Sequence, residues 1–214
     1  MRTDRTKVRR SPDKQVDDPE ILRAILARAI IAHVAISIED QPFVLPVACA
    51  PYQDELLLHG STASRLFKAL ASGAPACLSI TLVDALVLAR TSFDSSMRYH
   101  SLMAFGKARL IEGGEKVSAL DALTDHLFPE RAIELRQSNE QEIKATSILA
   151  FPLSEISIKV SKSVVDDAKT EPVTNVWAGI VPISSVYERP IPADDLQSGI
   201  DVPEYISRWP KNRI

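Results

Sequence analysis

The stretch IIAHVAISIEDQPFVLPVACAPYQDELLLH, residues 30–59, decides the fold of this chain. It contains three apolar, β-rich runs, at residues 30–38, 43–49 and 55–59, and a short polar segment with turn-forming residues separates each run from the next. Short strands joined by tight turns are typical of an antiparallel meander. The sequence therefore predicts that a β-sheet, and not a helix bundle, forms the centre of the molecule.

The rest of the chain adds further strands and a few helices around this meander. Strands are predicted at residues 76–82, 86–91, 102–111, 148–153, 156–160 and 177–183, and a loop at 161–174. Helices are predicted from Asp18 to Ala29, where Asp18 and Pro19 form a typical helix start, and at 62–72, 115–127 and 131–136. Because strands and helices do not alternate regularly, a doubly wound parallel sheet is disfavoured. The pattern predicts a mainly β fold with helical additions, built around a β-barrel.

Composition and charge exclude several classes of protein. The chain has 214 residues, of which 45% are hydrophobic and 25% charged, and its formal net charge is −3. This profile is typical of a soluble globular protein, disfavours a general nucleic-acid binder, and excludes disorder for most of the chain. Since the longest apolar stretches are far shorter than the roughly 20 residues of a spanning helix, we expect no membrane segment.

The cysteines and the N-terminus exclude further possibilities. Cys49 and Cys77 are too few for a disulfide framework or a zinc site, and both read as small buried hydrophobes. The first ten residues carry five basic side chains with no apolar run after them, so they do not form a secretory signal. We therefore expect a cytoplasmic protein with a flexible basic arm at 1–17, one barrel domain at 18–187 and a surface tail at 188–214.

One segment has the composition of an anion site. In LHGSTASR, residues 58–65, a strand is followed by Gly60 and then by a predicted helix start. The free N–H groups of a first helical turn attract anions, and Ser61, Ser64 and Arg65 would add hydroxyl and guanidinium donors. A phosphate monoester is the natural ligand. The alternative is ordinary capping by Ser61 with Arg65 exposed, and the spacing alone does not decide between the two.

Two more segments are candidates for a binding role. The common catalytic motifs are absent. Residues 90–101 are rich in hydrogen-bond donors between two predicted strands, although a solvated turn explains them equally well. Trp177 precedes Ala178-Gly179, and its ring could stack on a flat ligand or simply belong to the core. The chain lacks GxGxxG, GxxxxGK[ST], HExxH, CxxC and GxSxG, which disfavours triphosphatases, zinc proteases and α/β-hydrolases.

Taken together, these segments resemble the FMN-binding split-barrel family related to pyridoxamine 5′-phosphate oxidase. The branch that is most similar contains flavin-nucleotide-binding proteins and the Nim-type nitroimidazole-resistance reductases. The resemblance extends from about Asp18 to Ile183. It is carried by the segments QPFVLPV at 41–47, LLHGSTASR at 57–65, SMRYHS at 96–101 and WAG at 177–179. Two departures from the family pattern are Leu66, where the oxidases have a lysine, and the shifted arginine in Arg98-Tyr99-His100.

The resemblance implies a six-stranded antiparallel split barrel and a homodimer with FMN bound at the subunit interface. A related cofactor such as FAD, a deazaflavin or heme stays open. His59 is the candidate catalytic residue, with simple hydrogen bonding in the cofactor crevice as the alternative. No metal site is expected. The implied cofactor-binding set is Pro46, Val47, Ala48, His59, Gly60, Ser61, Ser64, Arg65, Thr81, Arg90, Arg98, His100, Ser101 and Trp177.

Three functions are compatible with this resemblance. The first is a flavin-dependent oxidoreductase that acts on a small molecule such as a nitro compound or a pyridoxal vitamer. The second is a non-catalytic flavin-binding or flavin-storage protein. The third is a structural dimer that has kept the fold but lost the cofactor. Oxidation of pyridoxamine phosphate itself is disfavoured, because the Arg-Leu-His substrate motif of that enzyme is absent from residues 177–214.

Overall fold

The computed structural model describes residues 3–167, 175–211 and 213. These residues form ten strands, all in one antiparallel sheet. The strands are β1 (Gln15–Val16), β2 (Ile31–Ile38), β3 (Gln41–Tyr52), β4 (Glu55–Ser61), β5 (Pro75–Leu88), β6 (Ser96–Lys107), β7 (Arg109–Leu110), β8 (Thr146–Pro152), β9 (Ile156–Ser161) and β10 (Gly179–Pro182). Neighbouring strands follow the order β1-β9-β6-β5-β2-β3-β4-β8-β7, and β10 pairs with β5.

Four α-helices and three short 3-10 helices accompany the sheet. The α-helices are α1 (Pro19–Arg28), α2 (Arg65–Ala71), α3 (Gly113–Leu127) and α4 (Glu140–Ala145). The 3-10 helices are Pro12–Lys14, Arg131–Glu134 and Glu204–Arg208. Asp18 caps α1 by accepting a hydrogen bond from the N–H of Glu20, as the sequence predicts. No helix among the described residues is long and apolar enough to cross a lipid bilayer.

The sheet curls around one main hydrophobic core, and a smaller core lies on its other side. Alternate residues of β2, β3, β5 and β6 point into the main core, which α1 and α2 cover with Ile25, Leu66, Phe67 and Leu70. The smaller core packs α3 against β3, β4 and β8. The fold is therefore mainly β with helical additions, of the split-barrel type that the resemblance implies, and the sheet remains open.

Several predicted elements differ from the structure. Two predicted strands, 76–82 and 86–91, are one strand, because a bulge between Val83 and Ala85 lets β5 continue past Asp84. The strand predicted at 102–111 starts earlier, at Ser96, and ends at Lys107. The helix predicted at 131–136 is only the 3-10 turn Arg131–Glu134. The described residues form ten strands, of which β1, β7 and β10 are short additions at the periphery of the split barrel.

Three further differences concern the predicted helices and the predicted loop. The helix predicted at 62–72 begins only at Arg65. The sequence analysis missed α4, whose start is fixed by a reciprocal capping box between Asn139 and Glu142. Residues 168–174 of the predicted loop lie outside the described residues.

Gly60 occupies a position where the packing leaves no room for a side chain. A Cβ atom at this residue would lie 2.3–2.7 Å from three ring carbons of Phe67. Phe67 is almost fully buried in the main core, so its ring has no free space into which it could move. Gly60 thus allows α2 to pack directly on β4.

We expect Gly60→Ala to lower the free energy of unfolding by about 1–3 kcal/mol, the usual cost of overpacking a core. Gly114→Ala is the matched control. Nothing lies within 4 Å of a Cβ at Gly114 in α3, so this change should be neutral or stabilising. Urea unfolding of both variants measures the difference. Adding Phe67→Leu should restore part of the stability lost by Gly60→Ala, and equal stability of the two single variants would refute the packing argument.

Candidate functional site

A small cleft lies where strands β3 and β4 separate. Their pairing extends only from Cys49–Leu58 to Tyr52–Glu55, so the first half of β3 has no strand on its β4 side. Pro42 and Pro46 lie in this part of β3, which pairs with β2 on its other side. Because proline has no N–H group, it is tolerated at an edge that no further strand occupies. The chain instead places the start of α2 beside this edge. A cleft results between β3 and α2.

Arg65 and Phe43 form the walls of this cleft. The Arg65 guanidinium carbon lies 4.1 Å from the centre of the Phe43 ring, which is a cation–π contact. The side chain of Arg65 is exposed, and Ser64 lies beside it. A cavity of about 160 Å³ is enclosed here, with Ile36, Ile38, Leu45 and Leu66 as its apolar floor. The cleft therefore presents one oriented cation and one hydroxyl above an apolar surface.

The backbone N–H groups before α2 are not available to an anion, contrary to the sequence interpretation. The N–H of Thr62 donates to the carbonyl of Ala145 at 3.2 Å, and that of Ala63 to the Ser61 hydroxyl at 3.1 Å. The N–H of Ser64 donates to the carbonyl of Ser61 at 3.0 Å. Residues 61–64 therefore form a closed turn and not a first helical turn. An anion held here would therefore meet the side chains of Ser64 and Arg65 and not the N–H groups of residues 62–64.

A second group of predicted site residues lies on the outer face of the sheet. At least one chain neighbour of each points into the main core, so strand alternation turns the side chains outward; these residues are Pro46, Ala48, His59, Thr81 and Ser101. Thr81 and Ser101 are directly paired on β5 and β6. Val47, in contrast, points into the core and is 7% exposed, so its side chain is not available to a ligand on the outer face. The outward residues are mostly small, and they leave a shallow, open surface.

His59 is exposed on the same face of β4 as Leu57 of the smaller core, and it does not line the cleft. It lies on β4, one residue before Gly60, and its strand partner is Ile148. Desolvation by the surrounding protein lowers the pKa of His59 below its usual value, so the imidazole is neutral at pH 7. A neutral imidazole can accept a proton, donate a hydrogen bond or ligate a metal.

The three remaining polar residues of the predicted set have partners within the chain. Arg90 pairs with Asp167, and Arg98 donates to the carbonyl of Ser163 at 2.8 Å. His100 Nδ1 lies 2.8 Å from one oxygen of Asp84, whose other oxygen accepts a hydrogen bond from Arg28 at 2.9 Å. These residues lie toward the far end of the β5–β6 hairpin. The structure therefore does not gather Arg65, Arg90 and Arg98 at one crevice within a single chain.

Trp177 lies apart from both groups. Its side chain is 67% exposed, immediately before β10, and its ring folds over Gly179. A Cβ at Gly179 would come within 2.6 Å of that ring, so the glycine is what permits this position. Because β10 pairs with the end of β5, Trp177 lies near Leu88. One side of the Trp177 ring lies against Gly179, and the side chain is otherwise largely exposed to solvent.

Sequence reasoning missed two features of the site. Phe43 reads as an ordinary strand residue, and only the three-dimensional structure places its ring under Arg65. Asp84 reads as a turn residue, whereas it occupies a bulge and joins Arg28 to His100. A lone acidic residue within a long apolar run was the one signal that could have indicated such a bulge. No group of three or more His, Cys, Asp or Glu side chains suited to a metal ion occurs in the described part of the chain.

Comparison with known proteins connects this architecture to one family. The family model for pyridoxamine 5′-phosphate oxidase matches residues 18–160. The FAD and heme binding protein from Mycobacterium smegmatis is 38% identical; the match covers 94% of this chain and 100% of that one, with a TM-score of 0.89. The flavocytochrome Anf3 from Azotobacter vinelandii is 32% identical over 97% of each chain, with a TM-score of 0.90.

A more distant structure shares the fold alone. A protein assigned to 5-nitroimidazole antibiotic resistance from Bacteroides thetaiotaomicron is 24% identical, and the match covers 68% of this chain and 86% of that one, with a TM-score of 0.58. No curated protein matches the sequence. The family match over most of the chain and the two relatives above 30% identity agree with the split-barrel topology, and on this evidence the chain belongs to the pyridoxamine 5′-phosphate oxidase family.

Proposed function

We propose that this protein binds a flavin nucleotide, with the phosphate held by Arg65 and Ser64 in the cleft between β3 and α2. The observation that carries the proposal is the contact between Arg65 and Phe43, which fixes an exposed guanidinium at the mouth of an apolar cleft. A guanidinium gives a phosphate two parallel hydrogen bonds. Two relatives, 38% and 32% identical, are described as an FAD and heme binding protein and a flavocytochrome, which supports a flavin.

The flavin ring would lie on the outer face of the sheet beside this cleft. Pro46 and Ala48 on β3 present small apolar surfaces there, and Thr81 and Ser101 present hydroxyl groups. A flat ring can approach such a surface closely, because no long side chain stands above it. His59 would lie at the edge of the ring, where its neutral imidazole could exchange a proton with a substrate.

We further propose that the protein is an oxidoreductase acting on a small molecule, with FMN as the bound flavin. The flavin, when bound, supplies hydride or electron transfer, and the protein supplies binding, orientation and electrostatics. A nitro compound or a pyridoxal-like molecule fits the open surface near His59. The alternative is a protein that stores flavin without turnover, and the cycling of a bound flavin between a reductant and such acceptors distinguishes the two.

The proposed site is completed by a second copy of the chain. Ile31, Val44 and Met103 are 39%, 64% and 41% exposed on the outer face, next to the proposed ring position. Several exposed apolar side chains on one face of a sheet are typical of an interaction surface. A homodimer formed through this face would cover the ring from the other side and could bring Trp177 or Arg98 of the second copy toward it.

The purified protein should carry, or take up, a flavin that gives absorption bands in the visible region. We expect Arg65→Ala to weaken flavin nucleotide binding by about 1.5–3 kcal/mol, the scale of a charged hydrogen bond. Riboflavin, which lacks the phosphate, should bind both proteins equally. Fluorescence titration measures the four affinities.

Lys68→Ala is the matched control for this experiment. Lys68 is an exposed cation on the same helix, one turn beyond Arg65, and it does not line the cleft. Its removal should leave the affinity for FMN unchanged. Equal affinities of the wild type and the Arg65 variant for FMN would show that the phosphate binds elsewhere.

Heme is a second candidate ligand, which the names of the two relatives support. Of the four histidines, His100 bonds to Asp84, and His126 Nε2 donates to the carbonyl of Ala29 at 2.7 Å. His33 and His59 both lie on the outer face, and neither ring makes a hydrogen bond to another described residue. We take His59 as the candidate ligand, because iron binds a neutral imidazole and desolvation lowers the pKa of His59.

Reconstitution with heme should therefore give a Soret band that shifts or disappears in His59→Ala. His33→Ala serves as the comparison, because it removes an imidazole from the same face and should leave the band in place. Titration with hemin, followed by absorption spectroscopy, measures both variants. An unchanged Soret band in His59→Ala would assign the iron ligand to another residue.

A further inference from the structure

Residues 186–202 of the C-terminal tail form a loop whose two ends are fixed on the domain, and we call it the tail loop. Shortly before it, the N–H of Ile183 donates to the carbonyl of Asp84 at 2.9 Å. At its base the rings of Tyr187 and Trp209 lie with their centroids 5.3 Å apart, so the chain leaves and returns at the same place. The tail loop is therefore an excursion from a fixed base.

The tail loop is exposed throughout, although it is rich in apolar side chains. Every residue from 186 to 202 is exposed, and none belongs to a helix or a strand. Its large aliphatic side chains, of which Ile191 is 92% exposed, are Val186, Ile191, Leu196, Ile200 and Val202. A solvated linker is usually polar, whereas several exposed apolar side chains in one place are typical of an interaction surface. The tail loop thus has the composition of a segment that packs on a partner.

The tail loop also has a clear excess of negative charge. It contains four carboxylates and one guanidinium, in the order Glu188, Arg189, Asp194, Asp195 and Asp201. Among the described residues, none of these side chains makes a hydrogen bond or an ion pair. Asp194 and Asp195 lie in the middle of the loop, farthest along the chain from its base. A partner of this loop should therefore be basic.

The complementary charge lies near the other end of the same chain, in residues 7–14, which we call the basic segment. It contains four cations and one carboxylate, in the order Lys7, Arg9, Arg10, Asp13 and Lys14. The side chains of Lys7, Arg9 and Arg10 are exposed and have no hydrogen-bond or ion-pair partner in the described part of the chain. Lys159 of β9 donates to the carbonyl of Arg10 at 3.4 Å, which places a further cation beside them. The chain itself leaves this positive charge unbalanced.

The basic segment borders the outer face of the sheet. Arg5, two residues before it, forms an ion pair with Glu155 and lies 5.3 Å from the centre of the Phe105 ring. Phe105 and Met103 alternate with the core residue Ala104 on β6, so both side chains point to the outer face. The basic segment is thus continuous with the face that the proposed homodimer would cover.

From these observations we propose that the tail loop of one copy docks on the basic segment of a second copy. Asp194 and Asp195 would face Arg9 and Arg10, and the aliphatic side chains of the loop would pack beside Met103 on the outer face. Within one described chain, no hydrogen bond, ion pair or ring contact joins the two segments. In a two-fold symmetric dimer the contact forms twice, because each copy supplies one loop and one basic segment. The inference rests on the homodimer of the proposed function and names the segments that form it.

Sedimentation velocity of the full-length protein, without added flavin, measures its self-association. The wild type should form a dimer that weakens between about 0.05 and 0.5 M salt, over which the Debye length falls about threefold. The double variant Asp194→Lys/Asp195→Lys and the double variant Arg9→Glu/Arg10→Glu should each raise the dissociation constant by about tenfold or more, because like charges then face each other. All four positions are exposed, so the changes leave the core intact.

Mixing the two reversed variants separates a contact between copies from a contact within one chain. In a mixed dimer each loop meets a basic segment of opposite charge, so an equimolar mixture should associate about as tightly as the wild type. A loop that bound the basic segment of its own chain would not be restored by mixing.

Glu112→Lys/Asp121→Lys is the matched control, since it makes the same change in formal charge at two exposed positions at and near the start of α3. It should leave the dissociation constant unchanged.

A monomeric wild type would assign the tail loop to a different partner and overturns the proposal. Equal dissociation constants of the wild type and the reversed variants, or a mixture that associates no better than its components, overturn it as well. Because the measurement involves no flavin, a protein that dimerises as expected but binds no flavin contradicts only the proposed function.

Discussion

The separation of β3 from β4 is the constraint on which the rest of the site depends. Only four residues of each strand pair, from Cys49 to Tyr52 on β3, and beyond them the two strands diverge. The space between them is filled by α2, whose Leu66, Phe67 and Leu70 enter the main core. Burial of each such side chain stabilises the fold by roughly 1.5–3 kcal/mol, so α2 is firmly fixed there. Because α2 is fixed, Arg65 at its first position is fixed as well.

The open edge of β3 is kept from pairing by its own sequence. Pro42 and Pro46 lack the N–H groups that a neighbouring strand would need, and prolines on an edge prevent a further strand from adding. With no further strand on this edge of β3, side chains from α2 can approach it closely. Phe43 lies between the two prolines and receives the Arg65 guanidinium on its ring. Edge protection and ligand placement are thus achieved by one short segment.

The sequence predicted the meander of β2, β3 and β4 correctly because apolar alternation and turn residues are local signals. The helix start at Asp18 was predictable for the same reason. The bulge at Asp84 was not, since it depends on Arg28 and His100, which lie 56 and 16 residues away. The start of α2 was misplaced because the N–H groups of residues 62–64 find partners in Ala145 and in Ser61, and the first of these is remote in sequence. Local patterns thus predicted the strands, and long-range hydrogen bonds decided where the site residues point.

The same distinction applies to the charged residues. Arg65, Arg90 and Arg98 are indistinguishable in the sequence, yet only Arg65 faces the cleft, because Asp167 and the Ser163 carbonyl engage the other two. Those pairs hold the segment after β9 against the β5–β6 hairpin, while Arg28 and Asp84 tie the end of α1 to the same strands. The end of α1 also receives His126 of α3, and α3 in turn receives the tail through Arg213. The tail is therefore linked through α3 and α1 to the start of β2, where the outer face begins.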